Sequence, residues 1–284
     1  MRVILISYSA QGFALLDGVC RKAGHAPVAY LHARSLRPGG PTRDGAGDTA
    51  GRIVDALPDG MDLLVPGRKA ALPDLLAGYR ADLAVCYGFP WLVPPEALRA
   101  TRLGALNVHT SMLPKYRGPL PVNWAIRNGD EEIGVSVHWM ADGFDTGGIL
   151  AQRAGIPLAD DVLPEPLWRE VDAHVEQLLP TALEQAERGS PGIPQDEAAA
   201  SYAGWMEPAF SRIDWADART AVHHQVRAFR FGSSGRSGPV AVVDGRRVRV
   251  LRTSLLPADG VEVACGDGPL WVTGTLPAER EPGH

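Results

Sequence analysis

Asn107 and His109 stand two positions apart, and an aspartate follows at 145 in Asp145-Thr146-Gly147. On an extended segment, residues two apart share a face. The short apolar run at 103–108 reads as a strand, so the amide and the imidazole are expected side by side at its C-terminal end. In open α/β sheets that edge is where ligands bind. An amide donor, an imidazole and a carboxylate meeting there suit a reaction that builds up an oxyanion while moving a proton.

Other chemistry can be read into the same residues. Asp-Thr-Gly is the signature of aspartic proteases, but those need a second such tripeptide or a symmetric dimer on an all-β frame, and this chain has one tripeptide. Alone, the triplet reads equally as a turn before a strand. Ser111 invites a Ser-His-Asp reading, yet no G-x-S-x-G surrounds it, and a serine two residues from its own base is badly placed for attack. It is expected to brace the loop. His138 lies mid-strand, where a structural role is expected. His223 and His224 lack a partner at metal spacing. No G-x-G-x-x-G follows the first strand and no Walker loop is present, which argues against a nicotinamide dinucleotide.

The elements that must position these residues alternate. Strands are predicted at 2–7, 27–31, 61–65 and 81–87, with helices at 12–23 and 70–79 between them and a Gly- and Pro-rich loop over 34–52. Such alternation implies a parallel sheet with right-handed crossovers. Beyond it come a helix from Pro94 or Pro95, a helix at 121–128, strands at 134–140 and 148–153, and an amphipathic helix over 164–188. A short helix at 216–229 precedes strands at 239–243 and 246–252, which flank Asp244-Gly245, a strong hairpin signal. Further strands at 261–264 and 269–273 complete a small β-rich domain. The expected organisation is a catalytic domain over 1–188, a linker over 189–209, the β-rich domain over 210–275 and a disordered tail over 276–284.

The 284 residues suffice for a large domain and a smaller one. No apolar run approaches the roughly eighteen residues of a membrane span. Three scattered cysteines and the absence of a secretory pattern fit reduced thiols in a cytoplasmic protein. The net charge of −5 argues mildly against a polyanionic partner. Residues 201–284 carry ten arginines and nine acids. Arg227, Arg230, Arg236, Arg246, Arg247, Arg249 and Arg252 have only Asp244 as an acidic neighbour, so they form either a local basic patch or scattered solvated arginines.

Taken together, NVHTSMLPKYRGPLPVNWAI followed by GVSVHWMADGFDTGGILAQ resembles the folate-dependent formyltransferase family, which includes methionyl-tRNA formyltransferase, glycinamide ribonucleotide transformylase and the sugar N-formyltransferases. The YRG and WAI elements are closer to the tRNA and sugar branches, and SRIDWADARTAVHHQVRAFRF looks like the start of their C-terminal domain. The resemblance implies a Rossmann-like catalytic domain and 10-formyltetrahydrofolate as co-substrate, without a metal. It also implies a catalytic trio of Asn107, His109 and Asp145. The pterin would lie between the turn Pro90-Trp91-Leu92-Val93 and the loop Met140-Ala141-Asp142, held mainly by backbone. Met112 departs from the usual Leu, Gly148 from a frequent Asp, and residues 33–52 do not look like the basic loop of the tRNA enzyme.

On this reading an acceptor amine attacks the formyl carbon. Asn107 serves the oxyanion, His109 acts as base or as imidazolium, and Asp145 holds the imidazole. The expected acceptor is a small molecule: an amino sugar, often nucleotide-linked, or a secondary-metabolite amine of the kind met in antibiotic biosynthesis. The alternatives are methionyl-tRNA formylation, a formyltetrahydrofolate hydrolase, and a binding protein without turnover. Whether the second domain binds the acceptor or pairs two copies as a homodimer stays open.

Overall fold

The computed structural model describes residues 1–33, 35 and 46–278. Positions 34 and 36–45 of the expected Gly- and Pro-rich loop, and residues 279–284 of the expected tail, lie outside the described residues. The elements in chain order are β1 (Arg2–Ser7), α1 (Ala10–Lys22), β2 (Ala26–Leu31), α2 (Ala46–Asp55), β3 (Asp62–Leu64), α3 (Leu72–Gly78), β4 (Leu83–Tyr87), α4 (Pro95–Leu98), β5 (Ala105–His109), α5 (Pro121–Asn128), β6 (Glu132–Trp139), β7 (Ile149–Pro157) and α6 (Pro164–Glu187). After them come α7 (Arg219–Gly232), β8 (Val240–Val243), β9 (Arg246–Ser254), β10 (Val261–Cys265) and β11 (Gly268–Pro277). The disordered tail expected from 276 therefore starts too early, because cross-strand pairing with β9 carries β11 to Pro277.

Local chemistry explains the boundaries. Ser9 caps α1 by accepting from the Gly12 N–H at 3.0 Å. Phe13, Leu16, Val19 and Cys20 recur at helical spacing and are buried, and Gly24 follows the helix with φ +80°. The Asp244-Gly245 pair has φ of 47° and 71° at its two positions, the left-handed values that a two-residue hairpin turn requires.

Seven strands form one sheet in the order β3-β2-β1-β4-β5-β6-β7. From β3 to β5 every pairing is parallel. β5 and β6 pair antiparallel, so this is the mostly parallel sheet of an α/β, Rossmann-like domain that was expected, mixed only at this side. β1 pairs with both β2 and β4, so the strand order reverses there; in open α/β sheets ligands bind outside the carboxyl ends of the strands at such a reversal. One core cluster joins Ile4, Ile6, Leu31, Ala84, Trp91 and Val93, with Phe89 and Met140 packed against it.

By internal contacts the chain groups into two units, one of residues 1–119, 134–154 and 171–202, the other of 120–133, 155–170 and 203–284. The second contains a four-stranded antiparallel sheet, β10-β11-β9-β8, with a core of Val226, Ala241, Val243, Val250 and Val272. Within it Arg227 is 7% exposed and donates to the carbonyls of Leu158 and Ala159 at 2.8 and 3.1 Å. Arg227 is thus removed from the basic patch considered from the sequence, because its helix turns that side inward. The three cysteines are free, and burial pushes the thiols of Cys20 and Cys86 up to about 12.

Candidate active site

Asn107 and His109 both lie on β5. Across the antiparallel pair, Asn107 faces His138 and His109 faces Ser136. Directly opposed residues project from the same face, so the register of β6 adds an imidazole and a hydroxyl to the row begun on β5. The loop after β6 brings Asp145 back to this row. Asp145 has a φ of 56°, a left-handed conformation that is uncommon outside glycine but that aspartate tolerates better than most.

The carboxylate is the hub. Its Oδ1 accepts from Asn107 Nδ2 at 3.0 Å, and its Oδ2 accepts from the Gly118 N–H at 2.8 Å. His109 Nδ1 lies 3.5 Å from Oδ2, and His138 Nε2 lies 3.4 Å from Oδ1. The sequence-predicted trio therefore converges.

Neighbouring carbonyls place the protons. His109 Nε2 is 2.7 Å from the Tyr116 carbonyl, and His138 Nδ1 is 2.7 Å from the Trp139 carbonyl. A carbonyl only accepts, so these two nitrogens carry hydrogens. His138 Nε2 is left as an acceptor for Asn107 Nδ2 at 3.3 Å. Both amide hydrogens of Asn107 are then directed inside the site, one at Asp145 and one at His138.

Burial opposes the charge on Asp145, but the nearby imidazoles of His109 and His138, which become cationic in the acid range where a carboxylate titrates, and the Gly118 N–H outweigh it and hold the carboxyl well below the usual carboxylate range. For His109 burial dominates and lowers its pKa from 6.5, against the opposite pull of Asp145 and with the help of His138. An ionised carboxylate beside a neutral imidazole satisfies both directions.

The Ser111 hydroxyl is committed to its own loop: it donates to the Lys115 carbonyl at 2.6 Å, and Ser136 Oγ donates to the Ser111 carbonyl at 2.6 Å. Of the two turns implied to hold a pterin, the first turns Trp91 and Val93 inward, and Trp91 Nε1 donates to the Ser35 carbonyl at 2.9 Å. Met140, which opens the second loop, packs on the same cluster. Pro90, Leu92 and Ala141 are half-buried and Asp142 is exposed. Among the described residues no group of three or more His, Cys, Asp or Glu could hold a metal ion, and no helix is long and apolar enough to cross a membrane.

Sequence reasoning missed His138, Gly118 and Gln195. Extending the two-residue alternation of β6 from Ser136 would have flagged His138. The other two carry no local signal, since each meets Asp145 only through the fold: Gly118 through its N–H, and Gln195 Nε2 by donating to the Asp145 and Gly147 carbonyls.

A Rossmann-like sheet that gathers an amide, two imidazoles and a buried carboxylate at its carboxyl edge defines an enzyme domain suited to carbonyl chemistry. Residues 1–183 match the formyl transferase family, and the chain belongs to that family. Enzymatic formyl transfer is accordingly its reaction class. Methionyl-tRNA formyltransferase from Synechococcus sp. (strain JA-3-3Ab) is 32% identical over 248 residues, covering 78% of this chain and 75% of that one. The enzyme of the same name from Citrifermentans bemidjiense is 33% identical over 234 residues, covering 76% and 71%. Among solved structures, a sugar 3-N-formyltransferase crystallised in the presence of dTDP and 5-N-formyltetrahydrofolate has a TM-score of 0.67 at 15% identity, covering 97% of this chain and 98% of that one. A 4-N-formyltransferase from Francisella tularensis also has a TM-score of 0.67 at 15% identity, covering 88% and 96%. At those identities the structural likeness speaks for the fold.

Proposed function

We propose that this protein transfers the formyl group of 10-formyltetrahydrofolate to the primary amine of a small-molecule acceptor, an amino sugar or a secondary-metabolite amine. The observation that carries the reaction is the gathering of Asn107 and His109 around the Asp145 carboxylate, within 3.0 and 3.5 Å. Membership of the formyl transferase family supports the co-substrate, as does the structural neighbour crystallised in the presence of 5-N-formyltetrahydrofolate. The turn at Pro90, Trp91, Leu92 and Val93 and the loop at Met140, Ala141 and Asp142 suit a flat heterocycle. Trp91 and Val93 fill the core beneath, which leaves main chain to face the ligand.

In the proposed reaction the amine nitrogen bonds to the formyl carbon and an oxyanion develops on the formyl oxygen. His109, neutral at the outset, takes the amine's proton on Nδ1, where the Asp145 carboxylate stabilises the resulting charge. The carbon–N10 bond then breaks, and a proton passes to the departing N10, restoring the neutral imidazole. Asn107 serves the oxyanion by releasing its longer bond, the 3.3 Å contact to His138, while the Asp145 bond keeps the amide oriented.

For the acceptor, the net charge of −5 and the burial of Arg227 weaken the case for a polyanionic partner. A second reading, methionyl-tRNA formylation, is favoured by the names and the 32–33% identity of the relatives above. An acceptor screen with 10-formyltetrahydrofolate, comparing charged initiator tRNA with panels of amino sugars and amino acids, decides between them. Turnover on small amines is expected; formylation of tRNA at rates well above them would overturn the preference.

A further inference from the structure

We propose that Gln195 is a positioning residue of the active site, which holds Asp145 in its left-handed conformation by clamping the loop that carries it. The inference rests on the role proposed above for Asp145. Gln195 Nε2 donates to the carbonyls of Asp145 and Gly147 at 2.7 and 2.8 Å. Its Oε1 accepts from Arg117 Nε and Nη2 at 3.0 and 2.8 Å. A primary amide has two donor hydrogens and two acceptor lone pairs, and here all four are used.

The other edge of the Arg117 guanidinium is held by Glu197 at 2.8 and 2.7 Å, and the arginine is 7% exposed. The next residue, Gly118, gives its N–H to Asp145 Oδ2. Arg117 and Gly118 thus reach Asp145 by two routes, one directly to the carboxylate and one through Gln195 to the main chain. From below, Gly147 lies so close to β6 that a Cβ there would stand 1.9 Å from the Trp139 carbonyl. The loop is held between the end of β6 and the amide of Gln195.

A left-handed aspartate persists only where its surroundings over-determine it. Two loop carbonyls, one on either side of Thr146, that share one amide group supply that constraint, and without it the chain relaxes and the carboxylate moves off His109. No other side chain of this length does the same work. Glutamate could still accept from Arg117 but would set carboxylate oxygens against two carbonyls. Methionine would fill the volume and bond to neither side.

Full-length Gln195→Glu and Gln195→Met variants, with Asp145→Asn alongside, test this. Turnover is measured with 10-formyltetrahydrofolate and whichever of charged initiator tRNA or the amino-sugar panel the unmodified protein formylates. Affinity for 5-formyltetrahydrofolate, thermal midpoint and the His109 imidazole titration by NMR complete the set. A displaced catalytic group can cost on the order of 100-fold, so kcat is expected to fall about 10- to 100-fold in both Gln195 variants, with folate affinity within about threefold. The groups facing His109 are Asp145, His138 and the Tyr116 carbonyl. Withdrawal of the carboxylate should lower the His109 pKa further, a change that loss of stability alone does not produce. Gln195→Glu keeps the Arg117 pairing and so guards against a variant that fails to fold. Unchanged kcat in Gln195→Glu beside an inactive Asp145→Asn overturns the role of Gln195 and leaves the trio standing. If Asp145→Asn itself turns over normally, the reading of Asp145 falls. The clamp is then judged by the titration alone, and an unshifted His109 overturns it.

Discussion

The His109 ring has one nitrogen committed to the Tyr116 carbonyl and the other facing a carboxylate, so its chemistry reduces to the protonation of Nδ1. Removing one donor to a developing oxyanion typically costs about 10²–10³ in rate. Asn107→Ala and His109→Ala are each expected to lose at least about 10² in kcat, with affinity for 5-formyltetrahydrofolate close to that of the parent; near-normal turnover in either removes it from the mechanism. The sign of the pH dependence follows from burial. His109 is lowered from 6.5, so a neutral base is present above that value. The rate should rise with pH through the lowered pKa and be level above 6.5, whereas a rate that falls over the same range would assign the imidazolium role instead. Asp145 stays ionised throughout. Its depressed pKa adds stability above the ordinary 3.8, lost as pH falls through the folded-state value. Asp145→Asn should reduce turnover and move the acid limb to lower pH; full activity across pH 6 to 9 would refute its role.

At the scale of elements, the departure at Gly148 acquires a reason. A Cβ on Gly148 would lie 2.2 Å from the Pro191 carbonyl, and one on Gly192 would lie 2.7 Å from the Gly148 carbonyl carbon. The two backbones touch here because Ile149 and Ile193 exchange both main-chain hydrogen bonds, at 2.9 and 2.8 Å. The segment expected as a linker thus lays an extended edge along the start of β7. Gly148→Asp, which restores the residue frequent in the family, should force that edge away. A destabilisation of about 1–3 kcal/mol is expected, together with reduced turnover, since the Asp145 loop ends at this contact. Thermal melts and kcat check both, and an unchanged melting midpoint would show that the contact gives way freely. Met112 finds its place by a similar device: its sulfur occupies the space that a Cβ on Gly134 would need.

For the whole molecule, the question is the size and charge of the acceptor. Binding tRNA neutralises several phosphates and makes activity fall steeply with salt. The arginines of the second unit are divided: Arg227 is buried, while Arg246, Arg247 and Arg252 are exposed around the β8–β9 hairpin. A small-amine acceptor predicts kcat/KM nearly independent of salt between 50 and 200 mM, whereas tRNA predicts a loss of roughly 10³ or more over that range if six or more phosphates are contacted. A steep loss would move the assignment to tRNA.

Much of this protein was legible before folding. Strand–helix alternation predicted β1, α1, β2 and β4 within two or three residues, because local propensity and apolar periodicity specify them. Asp244-Gly245 predicted its hairpin, because only a few residue types accept two left-handed positions. The Asn107–His109 pair could be placed on one face by strand geometry alone. Of the arginines considered for a basic patch, Arg227 proved buried, since it belongs to α7, whose inward side depends on what packs against it.

Periodicity and spacing thus determined the class of domain and put Asn107 and His109 on one strand, while the formyl-transfer reaction and the trio with Asp145 were implied by the resemblance. Only the tertiary structure decided that β6 runs antiparallel and sets His138 opposite Asn107, that Gly118 and Gln195 close on Asp145, and that Gly148 must lack a side chain. Those facts depend on strand register and on hydrogen bonds between a main-chain group and a side chain 27 to 50 residues apart, which periodicity along the chain does not encode.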